Sequence, residues 1–321
     1  MIKANFTLNQ SQYKPVQLNG QKTGCKTAIS FGGKIPVDMS KLHPADRLNI
    51  CRDLQQNTWF FRNGLIESLD AIMNEFSGKL HPLLPHGKPV NFYVYGCSEG
   101  HETYSIILYL LKKYGSIENA KKRVKIHSID IPSPGLEMAK SRKLSLELDD
   151  LNRLFELGFN HNSISNNRRT SYIDYIDPKE GNIKIKIKDG VFKYANFQEG
   201  RILDDFSPNG KFNEKEPVVV FFRNAFPYIN PEKAMQFIDD LHAKLPEGSF
   251  FCVGAYDHHP EVKEQFKKLN DTFKPYKKFS YITYNGKPYL FKKTENYRHP
   301  IDRVKEMGSK AIQTLLKWLS F

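Results

Sequence analysis

The sequence predicts an α/β protein built on a doubly wound parallel sheet, and three observations carry that reading. Short apolar runs alternate with helix-patterned segments, the order of a parallel sheet with crossover helices. The run Val90–Val94 passes through Tyr95-Gly96-Cys97-Ser98-Glu99-Gly100-His101-Glu102-Thr103-Tyr104-Ser105 into the helix-like Ile106–Lys113, so a strand ends in two glycines and opens a helix. Other strands run directly into polar groups: Val124–Ile129 into Asp130, and Val218–Phe222 into Arg223-Asn224-Ala225-Phe226-Pro227-Tyr228. Ligands of open α/β sheets bind beyond the carboxyl ends of strands, which puts these groups on the productive edge.

Residues 1–38 are polar, rich in Gln, Asn, Lys and Gly without helical periodicity, and are expected to form a flexible leader. Residues 39–55 read as a short N-terminal helix with Ser40 as candidate cap. A helix is expected from Trp59 to about Phe76, and the stretch Pro82–Pro89 separates it from the strand Val90–Tyr95. Then follow a helix over Glu102–Lys113, a strand over Val124–Ile129 and a helix over Gly135–Lys143. Tyr172–Ile176 and Asn182–Lys188 flank Asp177-Pro178-Lys179-Glu180-Gly181, and Ile183, Ile185 and Ile187 alternate with lysines. That is a small antiparallel β-hairpin insertion, about 171–188, with one buried and one lysine face. The strand Val218–Phe222, the helix Pro231–Lys244 and the strand Ser249–Val253 continue the alternation. Residues 296–321 read as a C-terminal amphipathic helix, with Ile301, Val304, Ile312, Leu315, Leu316 and Leu319 on one face.

A chain of 321 residues that is 40% hydrophobic can bury a full core, here assigned to one large domain over 56–295. Its four cysteines, Cys25, Cys51, Cys97 and Cys252, have neither CxxC spacing nor disulfide-framework density, which favours a reducing cytoplasm and no metal site. Lys and Arg number 48 against 35 Asp and Glu, a net charge of +13 that attracts acidic surfaces. The basic residues are dispersed and carry no RNP, zinc-finger or helix-turn-helix signature, so no specific nucleic acid is expected as partner. No apolar stretch is long enough to span a bilayer, and the oligomeric state is left open.

The residues at the strand ends point to a nucleotide-type cofactor. Gly96 and Gly100 supply positive φ and close backbone approach, and the helix start beyond them offers free N–H groups. A carboxylate such as Asp130, at the end of the second strand, accepts from vicinal ribose hydroxyls. The turn lacks the GxGxxG spacing of NAD-dependent dehydrogenases.

Together these segments resemble the CheR-type chemotaxis receptor methyltransferases, which transfer a methyl group from S-adenosylmethionine to glutamate side chains. Thr58-Trp59-Phe60-Phe61-Arg62 is similar to the family's Thr-x-Phe-Phe-Arg element, and Gly96–Ser105 to its Gly-x-Ser-x-Gly-x-Glu-x-Tyr-Ser turn. Asp130 matches the strand-end acid, Arg223–Tyr228 the Arg-Asn-x-x-x-Tyr loop, and Asn196-Phe197 an asparagine followed by an apolar residue near the adenine. The resemblance implies a Rossmann-like methyltransferase sheet, S-adenosyl-L-methionine as cofactor and S-adenosyl-L-homocysteine as product. By the same resemblance, Asp130 holds the ribose, while Glu102 faces the ammonium or sulfonium of the cofactor. Arg62 binds a carboxylate of the methionine moiety or of the substrate, and Thr58 belongs to the same element. Arg223 and Tyr228 stand at the methyl-transfer centre, and Asn196 and Asn224 read the adenine or line the site. The chain departs from the family at Gln56, His101, Thr103 and the turn Gly254-Ala255-Tyr256-Asp257, where the family has a Gly-His-Ser-Glu-like sequence. The family's N-terminal helical domain has room here for one helix at most.

A glutamate nucleophile, with a pKa near ~4.3, is already ionised at neutral pH, so no general base need be sought. The function implied is protein-glutamate O-methylation in the cytoplasm, with an acidic, glutamate-containing protein segment as partner. The alternatives are another methyl acceptor, or a catalytically silent cofactor-binding scaffold.

Overall fold

Val90–Tyr95 (β1) lies inside a seven-stranded sheet in the computed structural model of the chain. The structure describes residues 60–61, 64–77, 88–146, 154, 172–177, 183–254, 257, 262–276, 283–284 and 287–294. The leader (1–38), the N-terminal helix (39–55) and the C-terminal helix (296–321) lie outside the described residues.

The first described helix is Leu65–Ser77 (α1), so the helix expected from Trp59 starts later. Phe61 (φ 47°) and Gly64 (φ 80°) are left-handed, which a helix cannot continue through, and the Tyr289 ring fills the place of a Cβ on Gly64. After β1 come His101–Tyr114 (α2), Ile117–Lys121 (α3), Val124–Asp130 (β2) and Pro134–Ser141 (α4). Ser133 caps α4 by accepting from the Leu136 N–H at 3.2 Å, and Pro134 sits in its first turn. Arg142 closes it in the left-handed region (φ 68°) and turns the chain into Lys143–Leu146 (β3), a strand the sequence reading missed.

Ile173–Asp177 (β4) and Ile183–Ile187 (β5) form the expected hairpin, and β3 joins it as a third strand in the order β3-β5-β4, all antiparallel. Leu144, Leu146, Ile173, Ile185 and Ile187 are buried, while Lys184 is exposed.

The chain then runs through Asp189–Phe192 (α5), Ala195–Glu199 (β6), Ile202–Phe206 (α6) and Val219–Phe221 (β7). Pro231–Lys244 (α7), Phe250–Cys252 (β8), Lys263–Thr272 (α8) and Lys274–Pro275 (β9) follow. Thr283–Tyr284 (β10) and Lys287–Pro288 (β11) make a small antiparallel pair, and Leu290–Lys292 (β12) ends the described fold. Asn230 caps α7, accepting from the Glu232 and Lys233 N–H groups at 3.0 and 3.3 Å.

The sheet order is β6-β2-β1-β7-β8-β12-β9. Strands β6, β2, β1, β7 and β8 are mutually parallel, and β12 runs antiparallel between β8 and β9. The central strands β7 and β8 carry buried apolar side chains on both faces because both faces are covered there. Phe92, Val219, Phe221, Phe250 and Cys252 pack into one cluster with α1 and α2. Tyr95, Val220, Phe222, Phe251 and Val253 pack into the other with α6, α7 and α8. From β1 the chain winds outward to β2 and β6, then returns to the other side as β7 and β8. The winding therefore reverses between β1 and β7, where such sheets open a crevice beyond their carboxyl ends. Among the described residues no helix is long and apolar enough to cross a membrane.

Candidate functional site

The turn after β1 is tied to β2: the Gly96 and Cys97 N–H groups donate to the Ile129 carbonyl at 2.8 and 3.4 Å. Three of its residues are left-handed, Gly96 (φ 69°), Ser98 (φ 48°) and Gly100 (φ 87°), so the backbone doubles back before α2. The two glycines have different surroundings. A Cβ on Gly100 would lie 2.9 Å from the Tyr104 ring and 3.1 Å from the Ala139 methyl, so this glycine lets the turn pack on α2 and α4. A Cβ on Gly96 would meet nothing within 4 Å, which leaves the backbone open to a ligand from outside.

Asp130 ends β2 beside that opening. One of its oxygens accepts from the Ser98 N–H at 2.5 Å and the other from the Ile131 N–H at 2.7 Å. An ionised carboxylate has about four lone-pair positions, so about two remain, which fits the vicinal hydroxyls of a ribose. Burial pushes the Asp130 carboxyl up to about 6, and the two N–H donors partly oppose that shift. Ser98, which orients this acid, carried no signal as an orienting group beyond its place in the turn.

Across the switch point, Arg223 follows β7 and Glu102 stands in the first turn of α2. The structure pairs them: Arg223 Nη1 donates to Glu102 Oε2 at 2.9 Å, with the two side chains 1% and 15% exposed. Arg223 Nε also donates to the Val253 carbonyl at 3.4 Å. Burial pushes the guanidinium down, and the neighbouring Glu102 carboxylate together with Cys252 and Tyr289 outweighs it, so the net shift is upward. A fixed cation beside a fixed carboxylate is complementary to a zwitterion such as the amino-acid end of S-adenosylmethionine.

Asn224 follows in the left-handed region (φ 59°), and its side-chain oxygen occupies the place of a Cβ on Gly254. A 3₁₀ turn, Phe226–Tyr228, then leaves Tyr228 42% exposed at the end of the loop. The carboxylate of Asp257 accepts from the backbone N–H groups of Asn224 (2.6 Å), Gly254 (2.8 Å) and Phe226 (2.9 Å). This residue was read from sequence only as part of a departing turn; an acid at that place in the turn was the available signal.

Asn196 and Phe197 sit differently. On β6, Asn196 is in register with His127 and Glu199 with Asp130, so Asn196 lies three residues, or about 10 Å, behind the carboxyl edge. Phe197, partly buried against the core, stacks on Phe192 at 5.8 Å and tilts against Tyr104 at 5.6 Å. Thr58 and Arg62 lie outside the described residues. Their neighbours Phe60 and Phe61 are buried, and the Phe61 N–H donates to Ser105 Oγ of α2 at 3.0 Å. His101 packs edge-on against Phe60 at 5.2 Å, and its Nε2 lies 3.2 Å from the Ser145 carbonyl of β3.

The chain is 23% identical over 182 residues to a chemotaxis protein methyltransferase of Vibrio parahaemolyticus, covering 57% of this chain and 59% of that one. It is 24% identical over 192 residues to chemotaxis protein methyltransferase 1 of Vibrio cholerae, covering 60% and 62% respectively. It thus spans about three fifths of the length of the curated relatives it matches. Among solved structures it is similar to a TehB-like SAM-dependent methyltransferase from Corynebacterium glutamicum, at 12% identity and a TM-score of 0.39 over 78% of this chain and 100% of that one. It is also similar to the CurJ carbon methyltransferase, at 11% identity and a TM-score of 0.40 over 80% and 62%. The family model described as CheR methyltransferase, SAM binding domain, matches residues 56–274, more than half of the chain. That match takes in the glycine turn, Asp130, the Arg223–Glu102 pair and the Asp257 carboxylate, and the chain belongs to the CheR methyltransferase family, whose S-adenosylmethionine-binding domain it carries.

Proposed function

We propose that this chain transfers a methyl group from S-adenosylmethionine to a carboxylate on a protein, most simply a glutamate side chain in an acidic segment. The observation that carries the reading is the buried Arg223–Glu102 pair at the switch point, with the Asp130 carboxylate at the end of the adjacent β2 and the exposed Tyr228 in the loop after β7. When bound, the cofactor supplies an electrophilic methyl group on a sulfonium. Asp130 holds the ribose hydroxyls, and Gly96 lets the backbone approach. Glu102 takes the ammonium and Arg223 the carboxylate of the methionine moiety, and the family motif adds Arg62 and Thr58 as further contacts to the cofactor or the substrate. Asn196 and Phe197 lie on β6, which the family resemblance puts on the adenine side, although both are set back from its carboxyl edge, and Asn224 lines the centre.

Tyr228, at the mouth, orients the acceptor oxygen through its hydroxyl. An ionised glutamate needs no proton removed, so these residues act by alignment and exclusion of water, which supply up to roughly 7–11 kcal/mol. The proposed domain runs over 56–295 with its insertion at about 171–188. The lysines of β5 and the net charge of +13 favour an acidic partner, whose approach salt would slow. The proposed setting is the cytoplasm.

The test is incubation with methyl-labelled cofactor and a protein lysate, followed by mild base. A methyl ester releases volatile methanol, whereas a methylated nitrogen does not. Tyr228→Phe is expected to slow that labelling while leaving cofactor affinity unchanged. A base-stable label would reject glutamate esterification, and cofactor binding without any transfer would favour the silent scaffold.

A further inference from the structure

The loop that carries Tyr228 has left the sheet. Strand β7 ends at Phe221; the Phe222 N–H still donates to the Cys252 carbonyl of β8 at 2.9 Å, and the loop amides from Asn224 onward find their partners away from the sheet ladder. The Tyr228 and Ile229 N–H groups find them within the loop, on the Ala225 and Phe226 carbonyls, both at 3.1 Å. Those of Asn224 and Phe226 point the other way, onto one carboxylate, Asp257, which also takes the Gly254 N–H. One buried side chain thus gathers amides from the loop after β7 and from the turn after β8, where its own backbone N–H donates to the Gly254 carbonyl at 3.3 Å.

From these contacts we infer that Asp257 is the positioning residue of the acceptor side. It fixes the left-handed Asn224 and the 3₁₀ turn, and through them the hydroxyl of Tyr228. This inference rests on the proposed methyl transfer. Asp257 is 2% exposed and both its oxygens are engaged by amides, so it acts through the loop and not on substrate. The fit allows little slack. Gly254 has no room for a Cβ because the Asn224 side chain occupies that place, and Arg223 Nε ties the same two segments on the Val253 carbonyl. The Asp257 carboxyl is pushed up to about 6 by burial even though three N–H donors oppose it, so the clamp is made by a carboxylate deep in the protein.

The test compares the full-length protein with Asp257→Asn and Asp257→Glu. The amide of Asn keeps the volume but turns a donor toward the N–H groups, whereas Glu keeps both oxygens. Three quantities are read: turnover of methyl-ester formation, the dissociation constant for S-adenosylhomocysteine by calorimetry, and amide exchange by mass spectrometry. Asp257→Asn is expected to lower turnover by about 30-fold or more and leave the dissociation constant within about threefold, the split of an interaction that serves the transition state. Exchange should accelerate about tenfold or more over 223–228 and 253–257 while β1 and β2 keep their protection. Glu should recover most of the turnover. Unchanged loop exchange in Asp257→Asn would overturn the inference, as would loss of protection throughout the sheet, which marks general destabilisation. If the wild type binds cofactor and transfers no methyl group, the proposed function fails, and the exchange pattern still decides whether Asp257 holds the loop.

Discussion

Asp130 should make cofactor binding depend on pH in a direction the structure defines. Its carboxyl is pushed from 3.8 up to about 6, so between those values the folded protein holds a proton that the unfolded chain releases. The resulting stability is full below the unfolded value and is lost as pH rises through about 6, a change of about 3 kcal/mol. The ribose hydroxyls need the opposite form, because an ionised carboxylate accepts from both of them and a protonated one does not. Affinity for S-adenosylhomocysteine should therefore be level from pH 8 to 7 and fall below 6, by about tenfold at pH 5, with a proton released on binding. Asp130→Asn removes the charge at nearly constant shape. Losing one charged hydrogen bond costs about 1.5–3 kcal/mol, so the dissociation constant should rise about 10- to 150-fold and the acid-side slope should vanish. Calorimetry at pH 5, 6, 7 and 8, in buffers of different ionisation heat, measures both the affinity and the proton. A wild-type affinity that stays level down to pH 5, or an acid-side slope that survives in Asp130→Asn, would refute the assignment.

Glu102→Gln leaves the Arg223 guanidinium, 1% exposed, without its carboxylate, and should cost about 3–5 kcal/mol in thermal or denaturant unfolding. The double variant Glu102→Leu/Arg223→Met should recover much of that stability yet lose the rise in Tm that cofactor produces; a retained rise would remove the pair from the site. Alanine at Gly96 or Gly100 carries the same left-handed strain of about 1–2 kcal/mol, but at Gly100 it also meets the Tyr104 ring and Ala139. Gly100→Ala should therefore lower Tm more, and Gly96→Ala should weaken cofactor binding more; equal effects on both measurements would refute the division between packing and access.

What the sequence by itself determined is the local part of this protein. The strands β1 and β2, the helices α2 and α7, and the glycine turn were legible because a few neighbouring residues encode them. Apolar periodicity marks the buried face, Gly100 and Gly115 bracket α2, and Asn230-Pro231 opens α7. The polar groups at the strand ends were legible for the same reason. Only the tertiary structure decided what those faces and groups meet. Lys143 reads as the end of a helix and Leu144–Leu146 carry no strand signal of their own until β5, some forty residues on, offers them a pairing edge. The helix α1 starts late because Phe61 and Gly64 are left-handed, and the Tyr289 ring, from the far end of the domain, occupies the place that a side chain on residue 64 would need. Arg223 and Glu102 are 121 residues apart, and each looks like a free charge until folding brings them to 2.9 Å. Asp257 lies in a turn with no periodicity, and its part emerges only when two separate strand ends present their amides to it. Periodicity reports that a side chain is buried, but the partner is chosen by packing across the sheet, where sequence distance carries no information.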